Sequence, residues 1–407
     1  MMLVVCFILF AALFFIEKGY IWIARKKKIE DSPEVRSSHT IVTVRGGGIV
    51  FVIAMLAYFI YAGFPYPYFF IGLTVLSIIS FIDDIHSLSP KTRLVCQMIA
   101  MSLIALQISS SSFGIMLLII FLSTGVVNVV NFMDGINGML CGVSFVSLAF
   151  LLLIDYEIIK FMDPLIIWSI FIANLVFCCF NFKKSADCFA GDIGSMSMGY
   201  ILFFLVLKLI WTSNNIGWAV LLAPFLIDGF LTIAHRILLR ENILLPHRKH
   251  AYEIMANELH IPHLVVSGIY MLIQTICALI FIWQPTITVF IVEMCVLSLM
   301  YLLFKAKYYP LHVESINSSL NQSFDGTVLI VGSKEQLKQF RLSNQYRDIS
   351  NPIVVSIDAW DDNMIGKYNP QSIYVLDSNL LSSDTISDML IKCKEGRVKS
   401  LNVVFKC

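Results

Sequence analysis

The sequence predicts an all-α polytopic membrane protein of about eleven transmembrane helices, with a small cytoplasmic α/β domain at its C-terminal end. Three observations point there. Hydrophobic residues make up 58% of the 407 and charged residues only 14%, too little charge to coat a soluble chain of this length. The apolar residues gather in repeated runs of about 18 or more, the length that crosses a bilayer as a helix. Beyond Tyr309-Pro310 the composition turns polar and the runs shorten to strand length.

The apolar runs fall at 2–24, 47–64, 66–82, 94–110, 112–130, 139–154, 164–181, 196–212, 216–234, 262–283 and 286–304. The first, "MMLVVCFILFAALFFIEKGYIWIARKKK", has no basic start and no clear cleavage motif, so it reads as a span and not as a removed signal. The gaps at 64–66 and 110–112 are tight hairpins. Two charged features lie within spans. Lys208 is a turn from an outer end and can extend its ammonium to water, and Glu17–Lys18 is expected to pair locally. Ten scattered cysteines with no C-x-x-C pair suit packing in a reduced compartment.

Lys and Arg in short loops orient the bundle. One side collects Arg25, Lys26, Lys27, Lys28, Arg36, Arg45, Lys91, Arg93, Lys183, Lys184 and the basic residues from Arg236 to Lys307, while the other holds Lys160 alone. The first side is therefore cytoplasmic, and all eight histidines lie there. A net charge of +1 gives no basic footprint for nucleic acid.

Residues 1–305 thus form the membrane domain and 311–407 a second domain. The strand-like runs of the second are "TVLIVG" (327–332), "PIVVSID" (352–358), "SIYVLD" (372–377) and "LNVVF" (401–405), with amphipathic helices expected at 334–342 and 384–394. This is a βαβ-like order. After the first strand the text is "VGSKEQ", not G-x-G-x-x-G, so a structural or regulatory role is the first reading and a nucleotide site the second.

Four cytoplasmic segments carry the chemistry. "SFIDDIHSLSPKTRL" (80–94) sets Asp83 and Asp84 at a span end, followed by Arg93; such carboxylates are costly there unless paired, hydrated or bound to a cation. "NVVNFMDGINGM" (128–139) places Asn128, Asn131 and Asp134 three residues apart, in step along one helical face. A turn alone explains "DGING" but not three polar groups in register. "FAGDIGSMSMGY" (189–200) flanks Asp192 with Gly191 and Gly194 and puts Ser195 at a helix start. The alternatives are a helix cap, or an oxygen ligand for Mg²⁺ beside a helix end that favours phosphate. "PHRKHAYE" (246–253) groups His247, Arg248 and His250, either a solvated basic loop or a cationic cluster for a diphosphate. All four share one face. Carboxylate-held metal, a helix N-terminus and Arg/His groups together form a kit for phosphoryl transfer.

In "DDIHSLSPKTR", "NVVNFMDGINGM", "FAGDIGSMSMG" and the histidine-bearing last loop the chain resembles the polyprenyl-phosphate N-acetylhexosamine-1-phosphate transferases. These are the glycosyltransferase family 4 group that includes the MraY-like enzymes. The resemblance covers about residues 1–305, and "RSSHTIVTVRGGGIVF" (36–51) looks like the family's first cytoplasmic loop. It implies transfer of a sugar-1-phosphate from a UDP-N-acetylhexosamine to undecaprenyl phosphate, with release of UMP. The cofactor implied is Mg²⁺, with Mn²⁺ as an alternative, and the place is the bacterial cytoplasmic (inner) membrane. A second copy of the chain is a further candidate partner. By motif, Asp192 would ligate the metal and Asp134 would serve the metal and catalytic site. Asp83 or Asp84 would hold or deprotonate the lipid phosphate. Asn128, Asn131, His39, Arg45, His247, Arg248 and His250 would bind substrate. The family leaves open whether an Asp acts as nucleophile or base; direct attack by the lipid phosphate is favoured. "HRKH" stands where many UDP-GlcNAc-using relatives have H-x-H-H. This resembles the branch that begins O-antigen or capsule chains on N-acetylfucosamine or N-acetylquinovosamine. The tail resembles a Rossmann-like nucleotide-binding fold. The competing readings are an inactive scaffold or sensor, and a transporter, which would want ionisable groups on broken helices at the bilayer midplane.

Overall fold

The structure is a computed structural model that describes residues 2–32, 38, 41–86, 88–108, 112–241, 247–321, 327–332, 337, 351–356, 372–375 and 400–403. The chain divides into two compact units, 1–308 and 309–407.

The first unit is a helical bundle. In order, its elements are α1 (Met2–Lys27), a two-stranded ribbon of β1 (Glu30–Asp31) and β2 (Thr43–Val44), α2 (Ile49–Tyr61), α3 (Pro67–Ile85), α4 (Pro90–Ile108), α5 (Phe113–Phe132), α6 (Met139–Glu157), α7 (Pro164–Asn181) and α8 (Gly191–Ser213). A 3₁₀ segment (Ile216–Leu222) leads into α9 (Ala223–Leu238), the short α10 (Ala251–Asn257), α11 (His263–Trp283) and α12 (Ile287–Asn321). Among the described residues ten helices are long and apolar enough to cross a membrane. Of the eleven spans expected, the second is the exception. α2 has 13 residues, about 20 Å at 1.5 Å per residue, short of a hydrocarbon core of about 30 Å.

Helix ends follow local chemistry. Asp163 caps α7 by accepting from the Leu165 amide at 3.0 Å, with Pro164 in the first helical position, where no N–H is needed. α4 and α8 begin several residues earlier than their apolar runs do, at Pro90 and Gly191. Asp192 and Ser195 therefore lie inside the opening turns of α8, and not in a loop before it.

α8 is the hub of the bundle and its most buried span, whereas the last span is mostly exposed. It is keyed to α3 and α4 by polar contacts that mean more in lipid than dispersion alone. The Tyr200 hydroxyl donates to the Phe69 and Ala100 carbonyls at 3.3 and 3.1 Å, in space that Gly72 leaves open. Ser77 and Ser197 share a hydrogen bond at 2.9 Å, and the Phe69 ring stacks on Tyr200 and Phe204. These contacts bring the last turn of α3 against the first turn of α8, where the acidic residues meet.

Glu17 does not pair with its neighbour Lys18. It is fully buried, and its Oε1 accepts from the Cys188 thiol at 3.4 Å. The rotation of α1 that buries Glu17 leaves Lys18 exposed.

In the second unit the described strands are β3 (Thr327–Gly332), β4 (Asn351–Ser356), β5 (Ser372–Val375) and β6 (Ser400–Val403). They form one parallel sheet in the order β4-β3-β5-β6. The helices expected at 334–342 and 384–394 lie outside the described residues, apart from Leu337.

Candidate active site

Asp84 is the keystone. From the last turn of α3 its Oδ1 accepts from the Asp192 amide at 2.8 Å and its Oδ2 from the Ile193 amide at 3.0 Å. It thereby satisfies two of the amides that every helix N-terminus leaves open, and places its negative charge at the positive end of α8. A residue 108 positions away in sequence supplies the cap, and neither Asp192 nor Ser195 does. Arg45 braces the pair, with Nε 2.7 Å from Asp84 Oδ1 and Nη2 3.3 Å from Asp192 Oδ1. Burial works against the guanidinium's charge, but Asp84 and then Asp192 outweigh it and raise its pKa. Asp83 lies beside Asp192 as well. It accepts from the Leu88 amide at 2.5 Å and from Arg93 Nη1 at 3.1 Å, and the same Nη1 stands 4.0 Å from Asp192 Oδ2.

The glycines of "RGGG" let Arg45 arrive. The Phe189 amide donates to the Val44 carbonyl at 2.8 Å, Gly47 to Phe189 at 2.9 Å, and Gly48 to Ala190 at 3.0 Å. Backbone pairing this close leaves no room for side chains: a Cβ on Gly48 would collide with the Gly194 Cα. Gly191 adopts φ +71°, and a Cβ there would sit 2.6 Å from Asp84 Oδ2.

The "DGING" turn closes the cluster. Asn131, in the last turn of α5, accepts the Ser195 hydroxyl at 2.6 Å. Asp134 follows in the loop and keeps partial solvent access. Even so, the protein atoms crowded around its carboxyl, then the charges of Asp192 and Asp84, push its pKa well above the usual range against the pull of Arg45. Asn128 takes no part in this cluster. Its amide pairs with the buried Gln97 of α4 at 3.0 and 3.4 Å, which is how these polar groups are satisfied in apolar spans.

The histidine segment lies against the same loop. Tyr252 donates to the Phe132 carbonyl at 2.8 Å, and its ring underlies Gly135. His247 and His250 face each other with ring centres 5.0 Å apart, and both approach Phe132. The expected cationic cluster is corrected in one respect. Burial, then the positive neighbours His250, Arg236, Lys249 and Lys305, depress His247 to about 2, so it is neutral. Arg248 pairs with the buried Glu258 at 3.1 Å, Lys249 pairs with Glu241, and His250 is held by Asp228. Neither Asp228 nor Tyr252 was singled out from the sequence. His39 lies outside the described residues.

A cavity of about 590 Å³ adjoins the cluster, lined in part by Thr43, Asn137, Lys184, Phe189, His263 and Leu264. Phe189 and Asn137 each lie three residues along the chain from an aspartate of the cluster, Asp192 and Asp134.

The residues present fit a divalent cation. Four carboxylates, Asp83, Asp84, Asp134 and Asp192, face two guanidiniums, Arg45 and Arg93, among the described residues. No group of three or more His, Cys, Asp or Glu among those residues forms a ready-made metal cage. The carboxylates thus form no closed cage, an arrangement that suits Mg²⁺ when waters and substrate phosphates complete its shell.

A membrane-spanning helical bundle with an arginine-braced acidic cluster at its helix ends is the class that fold and site define. Residues 66–210 match the description "Glycosyl transferase family 4". It is 29% identical over 174 residues to a Methanocaldococcus jannaschii protein named as a glycosyltransferase, covering 41% of this chain and 56% of that one. A Bacillus subtilis protein named as an undecaprenyl-phosphate N-acetylglucosaminyl 1-phosphate transferase is 24% identical over 56% of this chain and 70% of its own length. The phospho-N-acetylmuramoyl-pentapeptide-transferase of Enterococcus hirae is 30% identical over 42% of this chain and 63% of its own length. The chain thus spans a little over half of the archaeal relative.

Proposed function

We propose that the protein transfers a sugar-1-phosphate from a UDP-N-acetylhexosamine to a polyprenyl phosphate, undecaprenyl phosphate in bacteria, at the cytoplasmic face of the membrane. The observation that carries this is the carboxylate excess built around the Asp84-capped start of α8. The names of the relatives support the same reaction class. An oxygen of the lipid phosphate attacks the β-phosphorus of the donor. The bond from that phosphorus to the bridging oxygen breaks, and UMP leaves with the electron pair.

Asp192 and Asp134 would hold Mg²⁺, which would neutralise charge on the diphosphate. Arg45 and Arg93 orient Asp192 and add positive charge beside the reacting phosphates. Asp83 or Asp84 would hold or deprotonate the lipid phosphate; Asp84 is engaged by α8 and Arg45, and Asp83 by the Leu88 amide and Arg93. The cavity beside Phe189 suits the nucleotide, with a ring for the base and Asn137 and Lys184 nearby. The sugar is of the N-acetylglucosamine, N-acetylfucosamine or N-acetylquinovosamine type, and the product begins an O-antigen, capsule or other envelope polysaccharide. The parallel strands of the second unit, with the first strand internal to the sheet, suit a Rossmann-like cytoplasmic domain.

Purified protein given Mg²⁺, undecaprenyl phosphate and a panel of UDP-N-acetyl sugars should release UMP, and the panel identifies the sugar. The Asp192→Asn variant should fold and lose that release. Unchanged turnover in this variant removes the metal assignment, and equal turnover after EDTA removes the metal altogether.

A further inference from the structure

The histidine segment is organised around a carboxylate that no sequence motif marks. Asp228 lies on α9, 2% exposed. Its Oδ1 accepts from the Ala251 amide at 3.0 Å and the Thr232 hydroxyl at 3.1 Å, and lies 3.2 Å from His250 Nδ1. Its Oδ2 accepts from the Tyr270 hydroxyl at 2.6 Å and the Tyr252 amide at 3.3 Å. A carboxylate only accepts, so Nδ1 is the nitrogen of His250 that carries hydrogen. The ring is fixed in plane and in tautomer, as a carboxylate fixes a histidine in other catalytic and metal-binding pairs.

The other nitrogen is left bare. His250 is 1% exposed, and its Nε2 is buried with no hydrogen-bond partner among the described residues. The ring is stacked on Tyr252, with centroids 5.6 Å apart, and tilted toward Phe132 at 6.4 Å, two residues before Asp134. A buried polar atom without a partner is costly, and a site that keeps one beside an acidic cluster is shaped for a ligand.

We infer that Asp228 is a positioning residue that holds His250 so that its buried Nε2 meets an oxygen of the donor's diphosphate. This rests on the transferase reading. A phosphate oxygen at Nε2 requires that nitrogen to donate as well, and Asp228 is then the counter-charge of an imidazolium. Negative charge grows on the UMP side as the bond to the β-phosphorus breaks, so the contact strengthens toward the transition state.

The test separates this role from simple packing. His250→Asn keeps an amide where Nδ1 donated to Asp228 but has nothing at Nε2. It should melt with the wild type and lose about 100-fold or more in kcat/KM. Asp228→Asn should lose a similar factor, and the double variant no more than the larger single loss, because the two act as one unit. His250→Asn turning over within about threefold of wild type overturns the inference, as do multiplicative losses in the double variant. Should Asp228→Asn fail to fold, His250→Asn decides alone. UDP with Mg²⁺ supplies a readout apart from turnover: it should raise the melting temperature of the wild type clearly more than that of His250→Asn. A wild type that releases no UMP from any donor sinks the transferase reading, and the UDP comparison still decides this one. Equal UDP shifts in the two proteins, or none in either, overturn it.

Discussion

The acidic cluster and the histidine segment lie on either side of the "DGING" turn and handle charge in opposite ways. At the start of α8 four carboxyls, Asp83, Asp84, Asp134 and Asp192, gather around two guanidiniums, Arg45 and Arg93, among the described residues. In residues 247–258 each fixed cation meets a carboxylate: Arg248 pairs with Glu258 and Lys249 shares Glu241 with Arg236, while Asp228 holds the His250 ring. An unbalanced cluster at a lipid boundary is costly unless a cation completes it. A balanced one is a wall that keeps its shape. The difference supports the division of work in the proposed reaction, in which the first region takes up a cation and the second holds a ring still.

The largest effect should come from Asp84→Asn. The amide turns one acceptor into a donor facing the Asp192 or Ile193 N–H, so the turn carrying Asp192 shifts. Turnover should fall by about 10²–10³, the usual loss when a charge-stabilising group is misplaced. UMP release near the wild-type rate would show that the cap does not orient Asp192.

The balanced region breaks differently. Arg248→Met removes the guanidinium that the buried Glu258 carboxylate pairs with, which costs about 3 kcal/mol at the lower end for such pairs, since Arg248 is itself partly exposed. Most of that should return in the Arg248→Met/Glu258→Met double variant, read by thermal unfolding in detergent. A double variant as unstable as the single would show that the pair is not the source of the loss.

Gly48→Ala tests the backbone zipper under the acidic region. The new Cβ would strike the Gly194 Cα, and overpacking against backbone costs about 1–3 kcal/mol. Gly19→Ala is the control, since nothing lies within 4 Å of its Cβ position. Equal melting temperatures for the two variants would show that α2 and α8 separate freely.

The helices, their order and the residues of the acidic cluster were legible because each leaves a local mark: an apolar run, an Asp at a span end, a glycine pair. Partnership was not. Asp84 caps a helix 108 residues away, and Asn128 and Gln97 satisfy each other across two helices. Local sequence records the need for a partner and leaves its identity open. Asp228 was overlooked because one Asp in "PFLIDGFLTIAH" has no motif, although an ionisable residue inside an apolar span is itself a flag. Glu17 carried the same flag, and nearness in sequence suggested Lys18 when the contact is Cys188. Helix starts were misplaced where Pro, Lys or Gly dilute the apolar run, as at Pro90 and Gly191. The charge of "HRKH" was read from residue type, and burial reversed it at His247.

The smallest effect concerns Glu253, where the balanced region keeps a carboxyl in reserve. Glu253 accepts the His250 amide at 3.0 Å in a capping box at the start of α10. Burial is the main cause that raises its pKa from 4.5 to about 7, opposed by His250. A carboxyl harder to ionise in the fold than in the unfolded chain contributes stability fully present below pH 4.5, and that contribution is lost as pH rises through about 7. Between pH 6 and pH 8 the wild type should therefore lose on the order of 1 kcal/mol from this group. Glu253→Gln keeps the acceptor and cannot ionise, so its melting temperature should fall less over that interval. If the two proteins lose stability in parallel, Glu253 is already ionised at pH 6, and the second region then carries one more fixed charge than its partners suggest.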